Sequence, residues 1–189
     1  MEMSMKRTSL IAAGITLGAF TLSGCATQDK QLQQHATERP ANVPAALSVG
    51  AGKTLTAVAK ANGVQIYKCG ADKNNPAGFA WNLKAPEADL FNADGKLVGK
   101  HYGGPTWEGT DGSKVVGQVK ASDKGSDPNA IAWLLLNVIS NSGEGRFAKT
   151  TTIQRLNTAG GKAPPDGCDA AHFGSETRVP YTGQYYFYD

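Results

Sequence analysis

The chain is poor in the residues that build metal and nucleophilic sites. It carries 3 histidines and 3 cysteines in 189 residues. There is no Cys-x-x-Cys or His-x-x-x-His pair, so the local spacing of a structural zinc site is missing. No Gly-x-Ser-x-Gly occurs, which removes the nucleophile elbow of α/β-hydrolases. No Gly-x-Gly-x-x-Gly lies between a strand and a helix, which argues against a dinucleotide-binding dehydrogenase. The net charge is only +3 and lysine and arginine do not cluster, which argues against a dedicated nucleic-acid binder. Internal repeats, heptads and low-complexity blocks are also lacking. The uncharged run from Thr8 to Leu22 falls short of the roughly 20 apolar residues of a relaxed membrane span.

That short run has a different meaning in its setting. Lys6 and Arg7 precede it and small residues follow, the layout of a secretory signal peptide. Leu22-Ser23-Gly24-Cys25 resembles a bacterial lipobox. The resemblance implies a diacylglycerol on the Cys25 thiol, cleavage before Cys25, and acylation (palmitate included) of the freed amine. Ala26 in place of an aspartate points to the outer membrane, facing the periplasm or the cell surface. More than one acyl chain is needed for stable anchoring, at about 0.8 kcal/mol per buried methylene. The expected organisation is therefore a signal peptide at 1–24, a flexible tether at 25–47 rich in Gln, Ala and Pro, and one domain at 48–189.

The domain reads as strands. Val64, Ile66 and Lys68 alternate with Gln65, Tyr67 and Cys69, and Phe79, Trp81 and Leu83 alternate with Ala80, Asn82 and Lys84. Period-two alternation marks half-buried strands. Asp94-Gly95 between apolar runs suits a hairpin turn. "KVVGQVK" and "AKTTTIQRL" are β-branched, and the aromatic "GQYYFYD" fits a strand that closes a sheet. Ala130 to Val138 fits either a central strand or a buried helix; length and flanking glycines favour the strand. The expected fold is mainly β, a single antiparallel β-sandwich or barrel with at most short helices, long loops and one disulfide.

With Cys25 assigned to lipid, Cys69 and Cys168 remain as a pair in an oxidising compartment, and a disulfide is the simplest reading. A metal site built from Cys69, Cys168, Asp169 and His172 is the weaker alternative. "SVGAGKT" looks like the tail of a phosphate loop, but the glycine required five residues before the Gly-Lys pair is Leu47. No cofactor or metal is expected.

The segment "HYGGPTWEGTDGS" holds the candidate ligand or catalytic residues: His101, Tyr102, Trp107, Glu108 and Asp111. An imidazole and two carboxylates supply acid–base groups, and the aromatics supply stacking surfaces. The same residues also suit plain structure, because Gly-Gly-Pro and Asp-Gly make turns and Trp107 suits a core. The pieces "GVQIYKC", "HYGGPTWEGTDGSKVVG", "IAWLLL", "TTIQRLNTAGGKAPPDGC" and "VPYTGQYYFY" resemble, in order, the family of domain of unknown function 3455. That resemblance implies a compact, secreted or envelope domain and brings no catalytic residue with it. The leading expectation is a lipid-anchored envelope protein, anchored to the membrane by its lipid. Its domain is expected to be a non-enzymatic module that binds a small molecule, a glycan or a neighbouring envelope protein, or that serves structure alone. The alternative is an envelope hydrolase using His101 with Glu108 or Asp111.

Overall fold

The computed structural model describes residues 38–75 and 77–189. The expected signal peptide, the expected lipidation residue Cys25 and most of the expected tether, His35 included, lie outside the described residues. Eight strands run β1 (Leu55–Ala71), β2 (Phe79–Phe91), β3 (Leu97–Tyr102), β4 (Thr106–Gly109), β5 (Lys114–Asp123), β6 (Trp133–Ser142), β7 (Thr152–Gly160) and β8 (Glu176–Tyr188). Each pairs antiparallel with the next, and β8 returns to β1, so the sheet closes into an up-and-down barrel. Closure pairs both sides of every strand within the barrel wall. Of the two architectures open to the sequence, the barrel is the one formed. Within the segment Ala130 to Val138, Trp133 to Val138 lie in β6 and Ala130 forms an isolated bridge with Gly161, so the segment is extended rather than helical.

Side-chain size explains how the barrel fills. Ala57, Ala59 and Ala61 of β1 point inward and leave room for Tyr185 and Phe187 of β8, which sit directly opposite Ala59 and Ala57. Trp107 from β4 packs edge-on against both rings, at 5.2 Å from Tyr185 and 6.2 Å from Phe187. Small strands facing large ones are how a narrow barrel is filled with side chains. Phe147, from the β6–β7 loop, stops one end and lies 4.5 Å from Phe187. The outward positions of β1 and β8 carry Lys60, Asn62, Lys68, Glu176, Arg178 and Gln184. A polar outside and an aromatic inside reverse the pattern of a membrane-spanning barrel.

One outward patch is apolar and covered. Tyr186, Tyr188, Leu135 and Leu156 face out, and Val43, Leu47 and Val49 pack over them. Leu47 sits in a single 3-10 turn and is fully buried. Its carbonyl accepts from Gln154 Nε2 at 2.7 Å, and Gln154 Oε1 accepts from the Tyr188 hydroxyl at 2.7 Å. The folded unit thus takes in residues that composition assigned to the tether. Three apolar side chains are too few to fold alone, but they suffice to cover a patch already built by the strands.

The start of β2 departs from the alternation reading. Phe79 and Leu83 stay 40% and 57% exposed. β3 pairs only with Ala88–Phe91, so the first half of β2 projects past the barrel wall with β1 as its sole strand partner. There, Cys69, opposite Trp81, is joined to Cys168, with Cα atoms 5.4 Å apart and a sequence separation of 99. Trp81 Nε1 donates to the Asp166 carbonyl at 2.9 Å, and Phe173 meets Phe79 edge-on. The disulfide and these two contacts fix the β7–β8 loop, whose own apolar content is small.

Candidate functional site

The five residues singled out in "HYGGPTWEGTDGS" do not converge. β3 pairs with β4 in a register that sets His101 opposite Trp107 and Lys100 opposite Glu108. Neighbours along a strand point to opposite faces. His101 and Trp107 therefore enter the barrel, while Tyr102 and Glu108 stay outside.

Inside, the two rings stack at 4.4 Å with an interplanar angle of 13°, and Tyr185 meets His101 edge-on at 5.0 Å. His101 is 2% exposed, and its Nδ1 sits 2.8 Å from the Thr106 carbonyl. A carbonyl only accepts, so Nδ1 carries the proton. Burial drives the His101 pKa from 6.5 down to about 3; the Thr106 bond opposes the fall and the charge of Arg155 adds to it. The imidazole is neutral at any ordinary pH.

Outside, the Tyr102 hydroxyl donates to Glu108 Oε2 at 2.6 Å, and Lys114 Nζ lies 3.3 Å from the same oxygen. These bonds, Tyr102 first, hold the Glu108 carboxyl below its usual range. Asp111 serves the β4–β5 turn. It accepts from the Ser113 amide (3.0 Å), the Ser113 hydroxyl (2.6 Å) and the Arg146 amide (2.8 Å). Burial pushes its carboxyl up, but those bonds and the Arg146 charge outweigh it and the net shift is downward. The Ser113 oxygen in turn accepts from the Phe147 amide at 3.1 Å, so Asp111 helps to seat the ring that stops this end of the barrel. The sheet wall stands between His101 and Glu108, and Asp111 is committed to its loop. Cys69 and Cys168 are consumed by their bond, and among the described residues no cluster of His, Cys, Asp or Glu is arranged to hold a metal.

A second polar group, absent from the sequence reading, occupies the opposite end of the interior. Arg155 shares the inward parity of Ile153 on β7 and lies opposite Tyr185 on β8. Its Nε and Nη2 donate to the Ala132 carbonyl at 3.1 and 2.7 Å. The residue is half-buried, and among the described residues no carboxylate pairs with it. Around it stand Tyr67, whose hydroxyl donates to the Gly161 carbonyl at 2.6 Å, and Tyr181, whose hydroxyl is 3.5 Å from that of Tyr185. Burial raises the phenol pKa of all three tyrosines, and the charge of Arg155 works against that rise in each. Gln65, 2% exposed, leaves Nε2 without a partner, and so does the Nε1 of Trp107. The β7 turn reaches this end through Gly160 and Gly161, both at positive φ; a Cβ on Gly161 would lie 2.8 Å from that of Tyr181 and 3.3 Å from Gln65 Cγ. One signal was present in the sequence: in "TTIQRL" the cation shares its parity with Ile153.

The fold and this interior define a class: a small, closed, disulfide-tied up-and-down barrel with an aromatic core and a cationic group at one end. The sequence model of the family described as Protein of unknown function (DUF3455) matches residues 50–189, and the chain belongs to that family. No curated protein and no solved structure matches the chain.

Proposed function

We propose that this is a lipid-anchored, outer-membrane envelope protein whose barrel is a binding or structural module rather than an enzyme. The observation that carries the non-enzymatic part is the place of His101. Its imidazole is buried, neutral and stacked on Trp107, with the nearest candidate carboxylates outside the wall or locked in a turn. Acid–base catalysis needs groups within hydrogen-bond reach of one reacting atom. The anchoring part rests on Leu22-Ser23-Gly24-Cys25 and the apolar run before it. A disulfide and a polar outer wall are the features expected of a domain exported to an oxidising compartment and held beside a membrane by lipid.

The anchor is tested by growing a Gram-negative host that expresses the full chain with alkyne-palmitate. The protein takes the label and fractionates with the outer membrane, and Cys25→Ser is unlabelled and released from membranes. Label retained on Cys25→Ser removes the anchor. For the barrel, hydrolysis of any ester, amide or glycoside that is lost in a His101→Phe variant still folded at the assay temperature removes the non-enzymatic assignment.

A further inference from the structure

We propose that the end of the barrel interior at Arg155 and Gln65 is a binding site for a small oxyanion, a carboxylate or a phosphate. The proposal rests on the reading of the barrel as a binding module and gives that module a ligand class.

The argument is one of unmatched donors. A half-buried guanidinium spends two N–H groups on one carbonyl, that of Ala132, and reaches the Tyr185 hydroxyl, and among the described residues no carboxylate stands beside it. Taking a cation out of water without a counter-charge is costly, and buried cations are ordinarily paired. The unpartnered polar atoms of the same interior include the Gln65 amide nitrogen and the Trp107 indole nitrogen, and both can only donate. Tyr181 and Tyr185 add hydroxyls that face each other at 3.5 Å, too loosely for a strong bond. A neutral ligand leaves the charge unmatched, and a cation is repelled by it. An oxyanion answers both needs, because each oxygen accepts from several donors and the guanidinium fork fits two oxygens at once. Charge and donors at this end come from β1, β7 and β8, so the arrangement is a product of barrel closure rather than of one loop.

The test is calorimetric titration of the detergent-solubilised full chain with sodium acetate and, separately, sodium phosphate, ionic strength held constant with sodium chloride. The Arg155 Nε–H resonance is followed in parallel. We expect saturable binding of at least one probe, with the Arg155 resonance moving along the same isotherm. Acetate alone marks the site as one for carboxylates; phosphate alone marks it as one for phosphate groups. Gln65→Glu, which supplies a carboxylate from the chain itself, keeps the fold and weakens the probe at least tenfold; Gln65→Met removes the donor without adding charge and weakens it less. Absence of saturable binding for both probes overturns the proposal, as does binding that leaves the Arg155 resonance unmoved or that is unchanged in a folded Gln65→Glu. These results are independent of the palmitate label and of any hydrolytic activity, so this site and the envelope reading fail separately.

Discussion

Acid should loosen this barrel well before its carboxylates protonate, and His101 is the reason. In the folded chain the ring is sealed between Trp107 and Tyr185 and its pKa is pushed down to about 3; in the unfolded chain it returns to 6.5. The unfolded state therefore binds the extra proton first. A depressed histidine contributes stability that is fully present above pH 6.5 and is lost as the pH falls toward 3. Each pH unit inside that window is worth about 1.4 kcal/mol. Unfolding free energy should thus fall by about 1.4 kcal/mol between pH 7.5 and 5.5, and by about 2.7 kcal/mol between pH 7.5 and 4.5. The paired carboxylates of Glu108, Asp111, Asp169 and Glu176 are all held below their usual values, so their share of acid sensitivity lies at lower pH. Urea melts at the three pH values, followed by tryptophan fluorescence, measure the slope. His101→Phe keeps a flat ring on Trp107 and has no proton to bind; its curve should be flat from pH 7.5 to 5.5, above the range where the unfolded carboxylates protonate, at a lower overall stability because the Thr106 carbonyl loses its donor. A wild-type loss below about 0.7 kcal/mol at pH 4.5, or a slope above pH 5.5 that survives in His101→Phe, refutes the reasoning.

Two further variants and one control probe the frame. Cys69→Ser with Cys168→Ser opens a ~100-residue loop, and the chain-entropy account sets the loss at up to about 4.7 kcal/mol, read as a fall in Tm that reductant reproduces on the wild type. Gly63→Ala should destabilise by about 1–3 kcal/mol or prevent folding, since its Cβ would lie 2.1 Å from the Glu87 carbonyl oxygen and 2.4 Å from Ala88 Cα. Gly50→Ala, with nothing within 4 Å, is the matched control and should stay within about 0.5 kcal/mol by urea melting.

The strands and the disulfide were legible because they rest on short-range rules. Alternation in "GVQIYKC" follows from the pleat, and Asp94-Gly95 follows from turn chemistry: Gly95 has φ 77°, and the Asn92 side chain accepts from the Asp94 and Lys96 amides. The pairing of Cys69 with Cys168 followed once Cys25 was set aside. Exposure at Phe79 and Leu83 was not legible, because it depends on how far β3 runs beside β2. The packing of Leu47 was hidden for a similar reason: it needs a patch that exists only once β6, β7 and β8 lie side by side.

By itself the sequence determined the class of structure: its alternation and turns yield antiparallel strands, its family pieces lie in order, and its cysteines, with Cys25 read as the lipid site, leave one pair to join. Tertiary structure alone decided which residues share a chamber. His101 and Glu108 are seven positions apart and end on opposite sides of a wall. Arg155 and Gln65 are ninety positions apart and line the same end of the interior. The physical reason is that facing is set by strand register, and register in a closed barrel is fixed only when β8 meets β1.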